Sequence, residues 1–223
     1  MKIGIISGAG AYTGAIFYNK LINKIIKLNF IKKDEDFPYI KLINYPFKSL
    51  SNKGVDNNLI IKDELNYCFN QMLECDFIVV FCFSFQLRLR NIAFNNFNGK
   101  IIYLDKLFNK QNINKKNTLV LCSQSSMTEK LFGINSNYLD EKKYFYLNNL
   151  INDLIKGKVV SNKFNKFLTK YLKDNNLTKI FLGCTELFCY NFNKINNIKI
   201  INPEKLLLKC FIKELKNEVL SRK

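Results

Sequence analysis

The chain of 223 residues contains no histidine. This absence excludes Ser-His-Asp and Cys-His nucleophilic catalysis, a histidine general base, and metal sites that depend on histidine ligands. The seven cysteines include no Cys-x-x-Cys pair, so a structural zinc site has little support. Their odd number favours free thiols in a reducing compartment.

The sequence also lacks an apolar run long enough to cross a membrane. The longest run, residues 77–85 (FIVVFCFSF), is far shorter than the ~20 residues that a transmembrane helix needs. The uncharged residues 3–18 contain glycines where a signal peptide would have a longer apolar core and a small-residue cleavage site. We therefore expect a cytoplasmic protein with no membrane partner.

Arginine is scarce as well, with three residues, although 35 Lys and Arg outnumber 18 Asp and Glu. The resulting net charge of +17 would favour nucleic acid if it were clustered, but no basic block is longer than two residues. Lys (32), Asn (32) and Ile (26) all have A/T-rich codons, and a mutational bias of the genome is a simple explanation of the charge. We expect no nucleic-acid partner, and the positive field can still attract small anions.

Short apolar runs alternate with longer amphipathic stretches, which predicts an α/β fold with parallel sheets and crossover helices. The runs are rich in Ile, Val and Phe without strict alternation, as in sheets covered on both faces. The predicted strands are KIGII, YIKLINY, FIVVFC, KIIYL, TLVLC, KYFYL, KIFLGC and IKIIN. The predicted helices are residues 12–28, 60–74, 163–173 and 203–220, the last beginning with a proline.

The polar residues 108–118 (FNKQNINKKNT) fall near the middle of the chain and predict a boundary between two α/β halves. We assign residues 1–108 to the first half and residues 109–202 to the second. The C-terminal helix, residues 203–223, is expected to pack back on the first half.

Two cysteines stand at equivalent places in these halves. DFIVVFCFSFQ (76–86) and KIFLGCTELFC (179–189) each carry a predicted buried strand that ends at a cysteine, followed within two residues by a hydroxyl. Ligands of parallel α/β sheets bind beyond the carboxyl ends of the strands, so Cys82 and Cys184 can face one another across a cleft. Such a pair can remove a proton from one face of a carbon and return a proton to the other. We expect the helices after both strands to lower the thiol pKa through their N–H groups and dipoles.

Five segments in order resemble the aspartate/glutamate racemase family, the cofactor-independent two-cysteine amino-acid racemases, and in particular its aspartate racemase-like members. The match to the family's Gly-Cys-Thr-Glu motif in IFLGCTEL is the most specific of the five. The others resemble the opening strand and glycine turn, the first cysteine strand, the strand that opens the second half, and the last strand and helix. In that order these four are IGIISGAGAYTGAIFY, DFIVVFCFSFQ, TLVLCSQSSMTEKLF and IKIINPEKLLLKC.

The resemblance implies two pseudo-symmetric flavodoxin-like halves with the active site in the cleft between them. It implies that Cys82 and Cys184 act as thiolate base and thiol acid at the α-carbon of a small anionic amino acid, without cofactor or metal, in a homodimer. The residues expected to hold the substrate are Gly8, Gly10, Ser84, Ser123, Ser126, Thr185 and the backbone of Phe83.

Some positions differ from the family pattern. Phe83 stands where the family has asparagine, and Gln86 stands where it has histidine. The arginine that often binds a distal carboxylate has only Lys48 or Lys53 as a substitute, and lysine lacks its bidentate geometry. Glu186 can either orient its helix or transfer protons. The remaining five cysteines are expected to be structural.

Three functions stay open at this stage. The first is racemisation of aspartate or glutamate. The second is another two-cysteine isomerisation, such as that of a maleate cis–trans isomerase or a hydantoin racemase. The third is a non-catalytic homologue that binds a small molecule, which the presence of both cysteines disfavours.

Overall fold

Two four-stranded parallel sheets form the framework of the protein. The computed structural model describes residues 1–51, 54–92, 94, 96–109, 113, 115–158, 163–192, 195 and 197–221. The strands are β1 Lys2–Ser7, β2 Tyr39–Asn44, β3 Leu50–Ser51, β4 Gly54–Val55, β5 Phe77–Val80, β6 Lys100–Ile102, β7 Thr118–Cys122, β8 Asn137–Tyr138, β9 Lys179–Gly183 and β10 Lys199–Ile201. The α-helices are α1 Ala11–Ile26, α2 Asn58–Asn70, α3 Gln86–Arg90, α4 Lys106–Asn109, α5 Gln124–Thr128, α6 Tyr144–Ile155, α7 Lys163–Asp174 and α8 Pro203–Ser221.

The two sheets have the same topology. The first has the order β2-β1-β5-β6 and the second has the order β10-β9-β7-β8. When the strands of each sheet are numbered in chain order, both orders read 2-1-3-4, as in flavodoxin-like folds. The predicted α/β fold with two pseudo-symmetric parallel-sheet halves is therefore confirmed.

Burial explains why the central strands are almost entirely apolar. Helices cover both faces of β1, β7 and β9, and nearly all residues of these strands are buried. In β1 (KIGIIS), every residue after Lys2 is buried. The edge strand β2 has half-buried and exposed residues because one of its sides has no neighbouring strand. Continuous apolar runs thus mark the strands that carry the core of each sheet.

The helices that cover the sheets form because their apolar residues recur every three or four positions. In α1, Phe17, Leu21 and Ile25 are fully buried on one face. The side chain of Asn57 accepts hydrogen bonds from two backbone N–H groups at the start of α2, which fixes where that helix begins.

One strand prediction is wrong. Residues 143–147 (KYFYL) form no strand, since Tyr144 begins helix α6. The buried residues Tyr144, Leu147, Ile151 and Leu154 follow helical spacing, so the aromatic run is the first turn of an amphipathic helix. The strand at this edge of the second sheet is the two-residue β8. The other predicted strands all form.

The predicted division at residue 108 stays a prediction, because residues 110–112 and 114 of the polar segment lie outside the described residues. Helix α8 packs against α1, α4 and β9. The ring centroids of Phe17 and Phe211 lie 6.4 Å apart where α1 and α8 meet. Among the described residues, no helix is both long and apolar enough to span a membrane.

An ion pair connects the segment after β5 to the segment after β7. The guanidinium of Arg88, on α3, binds both carboxylate oxygens of Glu129, which follows α5. Arg88 also donates to the carbonyl oxygen of Ser84 and to Oδ1 of Asn58, each at 3.1 Å. The side chains of Arg88 and Glu129 are only 18% and 24% exposed, so this pair is better shielded from water than a surface pair.

We expect Arg88→Lys to lower the free energy of unfolding by about 1–3 kcal/mol, since an ammonium cannot replace the bidentate, charge-assisted contact. Urea unfolding followed by circular dichroism measures this change. The matched control is Lys33→Ala, which breaks the exposed pair with Glu35 and should change the stability by no more than about 0.5 kcal/mol. Equal effects of the two substitutions would show that the Arg88 contact adds no particular stability.

Candidate active site

A cavity of about 190 Å³ lies where the carboxyl ends of the two sheets face one another. It opens beyond β1 and β5 of the first sheet and beyond β7 and β9 of the second, which are strands 1 and 3 of each 2-1-3-4 order. Flavodoxin-like sheets bind their ligands at this point. The order in which successive strands are added to the sheet reverses here, and the connections that leave the two strands on opposite sides open a crevice. The site is therefore formed by two equivalent crevices that meet.

Cys82 and Cys184 enter the cavity from opposite sheets with the same local geometry. Each is the last extended residue after its strand, with φ/ψ of −156°/125° for Cys82 and −136°/131° for Cys184. A 3₁₀ helix follows each one, Phe83–Phe85 and Thr185–Cys189. The two cysteines are 8% and 6% exposed. The internal symmetry inferred from the sequence thus brings the two thiols to one cavity.

The turn after β1 supplies the third wall of the cavity and requires glycine at two positions. Gly8 has φ +117°, and a Cβ at this position would lie 1.7 Å from the carbonyl oxygen of Tyr45. Gly10 has φ +95°, and its Cβ would lie 2.4 Å from Oε1 of Glu186. Gly8 lets the turn approach the backbone that follows β2, and Gly10 lets it approach Glu186 of the second half.

Hydroxyl groups link the two sheets at the floor of the cavity. The Oγ atoms of Ser84 and Ser123 lie 3.2 Å apart. Ser123 Oγ accepts a hydrogen bond from the backbone N–H of Ser126 and donates to Ser126 Oγ at 3.1 Å. Ser126 is fully buried and does not line the cavity. It can influence a ligand in the cavity only through its hydrogen bonds with Ser123.

Glu186 is a half-buried carboxylate in contact with a thiol. The Sγ–H of Cys184 donates to Oε2 of Glu186 at 2.8 Å, and the hydroxyl of Thr185 donates to the same oxygen at 3.3 Å. Burial raises the pKa of Glu186, although these hydrogen bonds lower it in part. The group is thus a stronger base than an exposed glutamate.

The pKa of each site thiol lies above the ordinary value. Burial, followed by the charge of Glu186, raises the pKa of Cys82 to about 12. Burial, the charge of Glu186 and the hydrogen bond to it raise the pKa of Cys184 well above its ordinary value. Both cysteines therefore hold their protons at neutral pH in the ligand-free cleft.

The expected lowering of the thiol pKa by helix ends is wrong. The element after β9 is a 3₁₀ helix of five residues, and the element after β5 is a 3₁₀ helix of three residues that leads directly into the five-residue α3, so both are too short for a strong dipole. Backbone N–H groups of Ser84 and Phe85 do lower the pKa of Cys82, but burial outweighs them. The backbone N–H of Glu186 lowers the pKa of Cys184, but burial, the charge of Glu186 and the hydrogen bond to its side chain outweigh this effect.

Phe83, the residue that replaces the family's asparagine, places its ring in an aromatic cluster. The centroid of the Phe83 ring lies 5.5 Å from that of Phe132, 6.4 Å from that of Phe181 and 6.3 Å from that of Phe188. All three neighbours follow or belong to strands of the second sheet. Phe83 is 2% exposed, so its ring packs the two halves together and only its remaining atoms can serve a ligand.

Gln86, the residue that replaces the family's histidine, is fully buried and ties the first cysteine turn to the sheet. Its Nε2 donates to the carbonyl oxygen of Cys82 at 2.7 Å and to that of Val80 at 3.3 Å. Its Oε1 accepts from the backbone N–H of Leu104 at 2.9 Å. The side chain positions the Cys82 backbone through three main-chain contacts.

Most of the predicted site residues line the cavity: Gly8, Gly10, Cys82, Phe83, Ser84, Ser123, Cys184 and Thr185. Lys48 does not line it, since its side chain is exposed and its backbone N–H donates to Glu64. Lys53 lies outside the described residues. No three His, Cys, Asp or Glu side chains among the described residues are grouped so that they could hold a metal ion.

The sequence analysis missed an apolar part of the cavity wall, formed by Phe47, Leu50, Ile151 and Ile155. Ile151 and Ile155 are four residues apart on α6 and so share one helix face. That spacing was the available signal, but it was hidden because the start of α6 resembles a strand.

Solved amino-acid racemases share this architecture. An aspartate racemase homologue from Pyrococcus horikoshii OT3 has a TM-score of 0.72 and 16% identity, over 96% of this chain and 99% of that one. The Picrophilus torridus aspartate racemase has a TM-score of 0.63 and 18% identity, over 96% and 94%. The glutamate racemase of Francisella tularensis subsp. tularensis SCHU S4, in complex with D-glutamate, has a TM-score of 0.67 and 15% identity, over 98% and 82%. No family model matches the chain, and no curated protein matches it in sequence.

The chain is thus an α/β protein of two equivalent sheets with a thiol-lined cleft between them. Its fold is that of the aspartate and glutamate racemases, which confirms at the level of structure the resemblance drawn from the five sequence segments.

We expect Phe83→Asn, which restores the residue of the family pattern, to lower the free energy of unfolding by about 3–5 kcal/mol, because it leaves a cavity among aromatic rings. Thermal and urea unfolding measure this change. The control is Phe145→Asn on the 66%-exposed Phe145, which should change stability by no more than about 0.5 kcal/mol. A Phe83→Asn protein as stable as the wild type would contradict a packing role for the ring.

Proposed function

We propose that the protein is a cofactor-independent amino-acid racemase that inverts the α-carbon by means of Cys82 and Cys184. The observation that carries the proposal is the pair of buried thiols on equivalent turns of opposite sheets, both lining one small cavity. The volume of about 190 Å³ suits an amino acid, since pockets for drug-sized ligands occupy about 300–1,000 Å³.

In the reaction, the thiolate of one cysteine takes the α-hydrogen as a proton, and the electron pair of the broken C–H bond stays on the α-carbon. The thiol of the other cysteine then donates its proton to the opposite face of that carbon. The product has the inverted configuration, and the two sulfurs have exchanged their protonation states, so the reverse reaction uses the same groups in exchanged roles.

The two thiols have different surroundings, which affect how readily each one ionises. Backbone N–H groups of Ser84 and Phe85 and the side chain of Ser84 favour the thiolate of Cys82. Cys184 instead donates its proton to Glu186, which favours the thiol. Cys82 therefore forms a thiolate more readily than Cys184, and the enantiomer that presents its α-hydrogen to Cys82 uses Cys82 as base and Cys184 as acid.

Ser84, Ser123 and Thr185 provide hydroxyl donors for the substrate carboxylate and for the charge that develops next to it. Fixed donors of this kind, in a cleft that excludes water, stabilise a carbanion more strongly than water does. The turn from Gly8 to Gly10 brings main-chain groups to the same wall of the cavity.

We infer an acidic amino acid, aspartate or glutamate, as the substrate. The names of the racemases that share the fold support this choice, and so does the net charge of +17, which favours the approach of an anion. A cytoplasmic location and a homodimer remain predictions.

A second candidate is a two-thiol isomerisation of a less polar substrate, such as a hydantoin. The observation in its favour is the apolar wall of Phe47, Leu50, Ile151 and Ile155, which would contact the part of the ligand remote from the reacting carbon. Non-catalytic binding of a small molecule is the third candidate.

α-Proton exchange in D₂O, followed by NMR with L-aspartate and L-glutamate supplied separately, distinguishes these functions. The wild-type protein should exchange and invert one of the two amino acids. Cys82→Ser and Cys184→Ser should each lower inversion by about 10²-fold or more, because each removes one of the two proton-transfer groups. Cys210→Ser, a half-buried cysteine on α8 away from the cavity, should leave the rate unchanged.

Failure to exchange either amino acid, in folded protein with reduced thiols, would rule out acidic amino-acid racemisation. Exchange of a 5-substituted hydantoin under the same conditions would then establish the second candidate. Binding without exchange of any of these compounds would establish the third.

A further inference from the structure

A second cavity lies beside the ion pair of Arg88 and Glu129, and we call it the side groove. Its volume is about 400 Å³, within the range of about 300–1,000 Å³ that small-molecule pockets occupy. The first turns of α2, helix α3 with the two residues that follow it, and Glu129 form its walls. These residues are all different from those that line the cavity of the cleft, so the two sites can be occupied independently.

The guanidinium of Arg88 is fixed in the wall of the side groove by four hydrogen bonds. Its Nε donates to Oδ1 of Asn58, and its Nη1 donates to the carbonyl oxygen of Ser84. Nη1 and Nη2 each donate to one carboxylate oxygen of Glu129. A guanidinium has five N–H donors. These contacts with described residues therefore leave one N–H of Nη2 for a ligand.

The side groove has one positive charge more than its own contacts compensate. The carboxylate of Glu129 is paired with Arg88. Lys62 on α2 also lines the groove, is exposed, and forms no ion pair with any residue that the structure describes. The ammonium of Lys62 and the remaining donor of Arg88 thus favour an anion, and hydrogen bonds between ionised groups are about twice as strong as neutral ones.

The rest of the wall is largely apolar. Leu59 is 73% exposed although it lines the groove, Leu87 is half-buried, and Ile92 is 8% exposed. A ligand that covers apolar surface of this kind gains about 25 cal/mol for each Å² removed from water. The wall therefore suits a ligand that has an apolar group next to its negative charge.

We propose that the side groove is a second binding site, for a small monocarboxylate with an apolar group. The carboxylate pairs with Lys62 and accepts the remaining N–H of Arg88, and the apolar group covers Leu59 and Leu87. A single carboxylate matches the single uncompensated charge. The site is close to the cleft, because Arg88 also holds the carbonyl oxygen of Ser84 at 3.1 Å, but binding there needs no substrate in the cleft.

Saturation-transfer NMR with 4-methylpentanoate and with phenylacetate tests the proposal, and the corresponding amides are the uncharged comparison. The wild type should bind the carboxylates saturably and about threefold or more tightly than the amides. Lys62→Ala should weaken carboxylate binding about threefold or more and reduce the preference over the amides. Leu59→Ala should weaken the binding of carboxylates and amides alike, about threefold or more, because it removes the apolar contact.

The matched controls are substitutions of the same residue types outside the groove. Lys24→Ala removes an exposed lysine of α1, and Leu220→Ala removes a leucine of α8 that is 70% exposed. Both variants should bind the carboxylates as the wild type does. Absence of saturable binding of either carboxylate to the wild type would overturn the proposal, and this outcome needs no variant to fold. Equal affinity for carboxylates and amides would overturn it as well.

Binding in the cleft instead of the side groove has a different signature. Cys82→Ser and Cys184→Ser alter the cleft and should leave the carboxylate affinity within about twofold, since they share no partner with Lys62 or Leu59. A carboxylate that bound Lys62→Ala and Leu59→Ala as tightly as the wild type would lie outside the groove and would refute the proposal. No amino-acid exchange enters this measurement, so the side groove and the proposed racemisation can fail separately.

Discussion

Burial of the two site thiols is the constraint that governs the chemistry of the cleft. It raises the pKa of both cysteines, and the charge of Glu186 raises each of them further. Catalysis by a thiolate must therefore offset the free-energy cost of placing a charge on a buried sulfur. The charge of Glu186, whose Oε2 accepts a hydrogen bond from Cys184 Sγ–H at 2.8 Å, adds to this cost.

The architecture that creates this constraint is a fold used twice. Both sheets have the 2-1-3-4 order. In each sheet the third strand, β5 or β9, is followed by a site cysteine and then by a 3₁₀ helix. Contacts between the halves keep the cleft narrow: the Phe83 ring enters the aromatic cluster of the second sheet, and Arg88 binds Glu129. Burial of the thiols thus accompanies close packing between the two halves.

Sequence patterns predicted the sheets, the long helices and the two cysteine turns, because each depends on local apolar periodicity or on a repeated motif. The start of α6 was misread since KYFYL suits either a strand or a buried helical turn. The location of Lys48 and the packing of Phe83 could not be predicted, as they depend on how distant segments meet. Thiol acidity was misjudged for the same reason: the sequence indicates which groups follow a cysteine, but burial depends on the whole fold.

The side chain of Gln86 gives the first cysteine turn a property that a titrating residue cannot provide. The amide of Gln86 holds the carbonyl groups of Val80 and Cys82 and the N–H of Leu104. An amide neither gains nor loses a proton between acidic and alkaline conditions, so these three contacts are the same at every pH that the folded protein tolerates. The scaffold around the sulfur is chemically inert, and acid–base change in the cleft is confined to the thiols and the one carboxyl group.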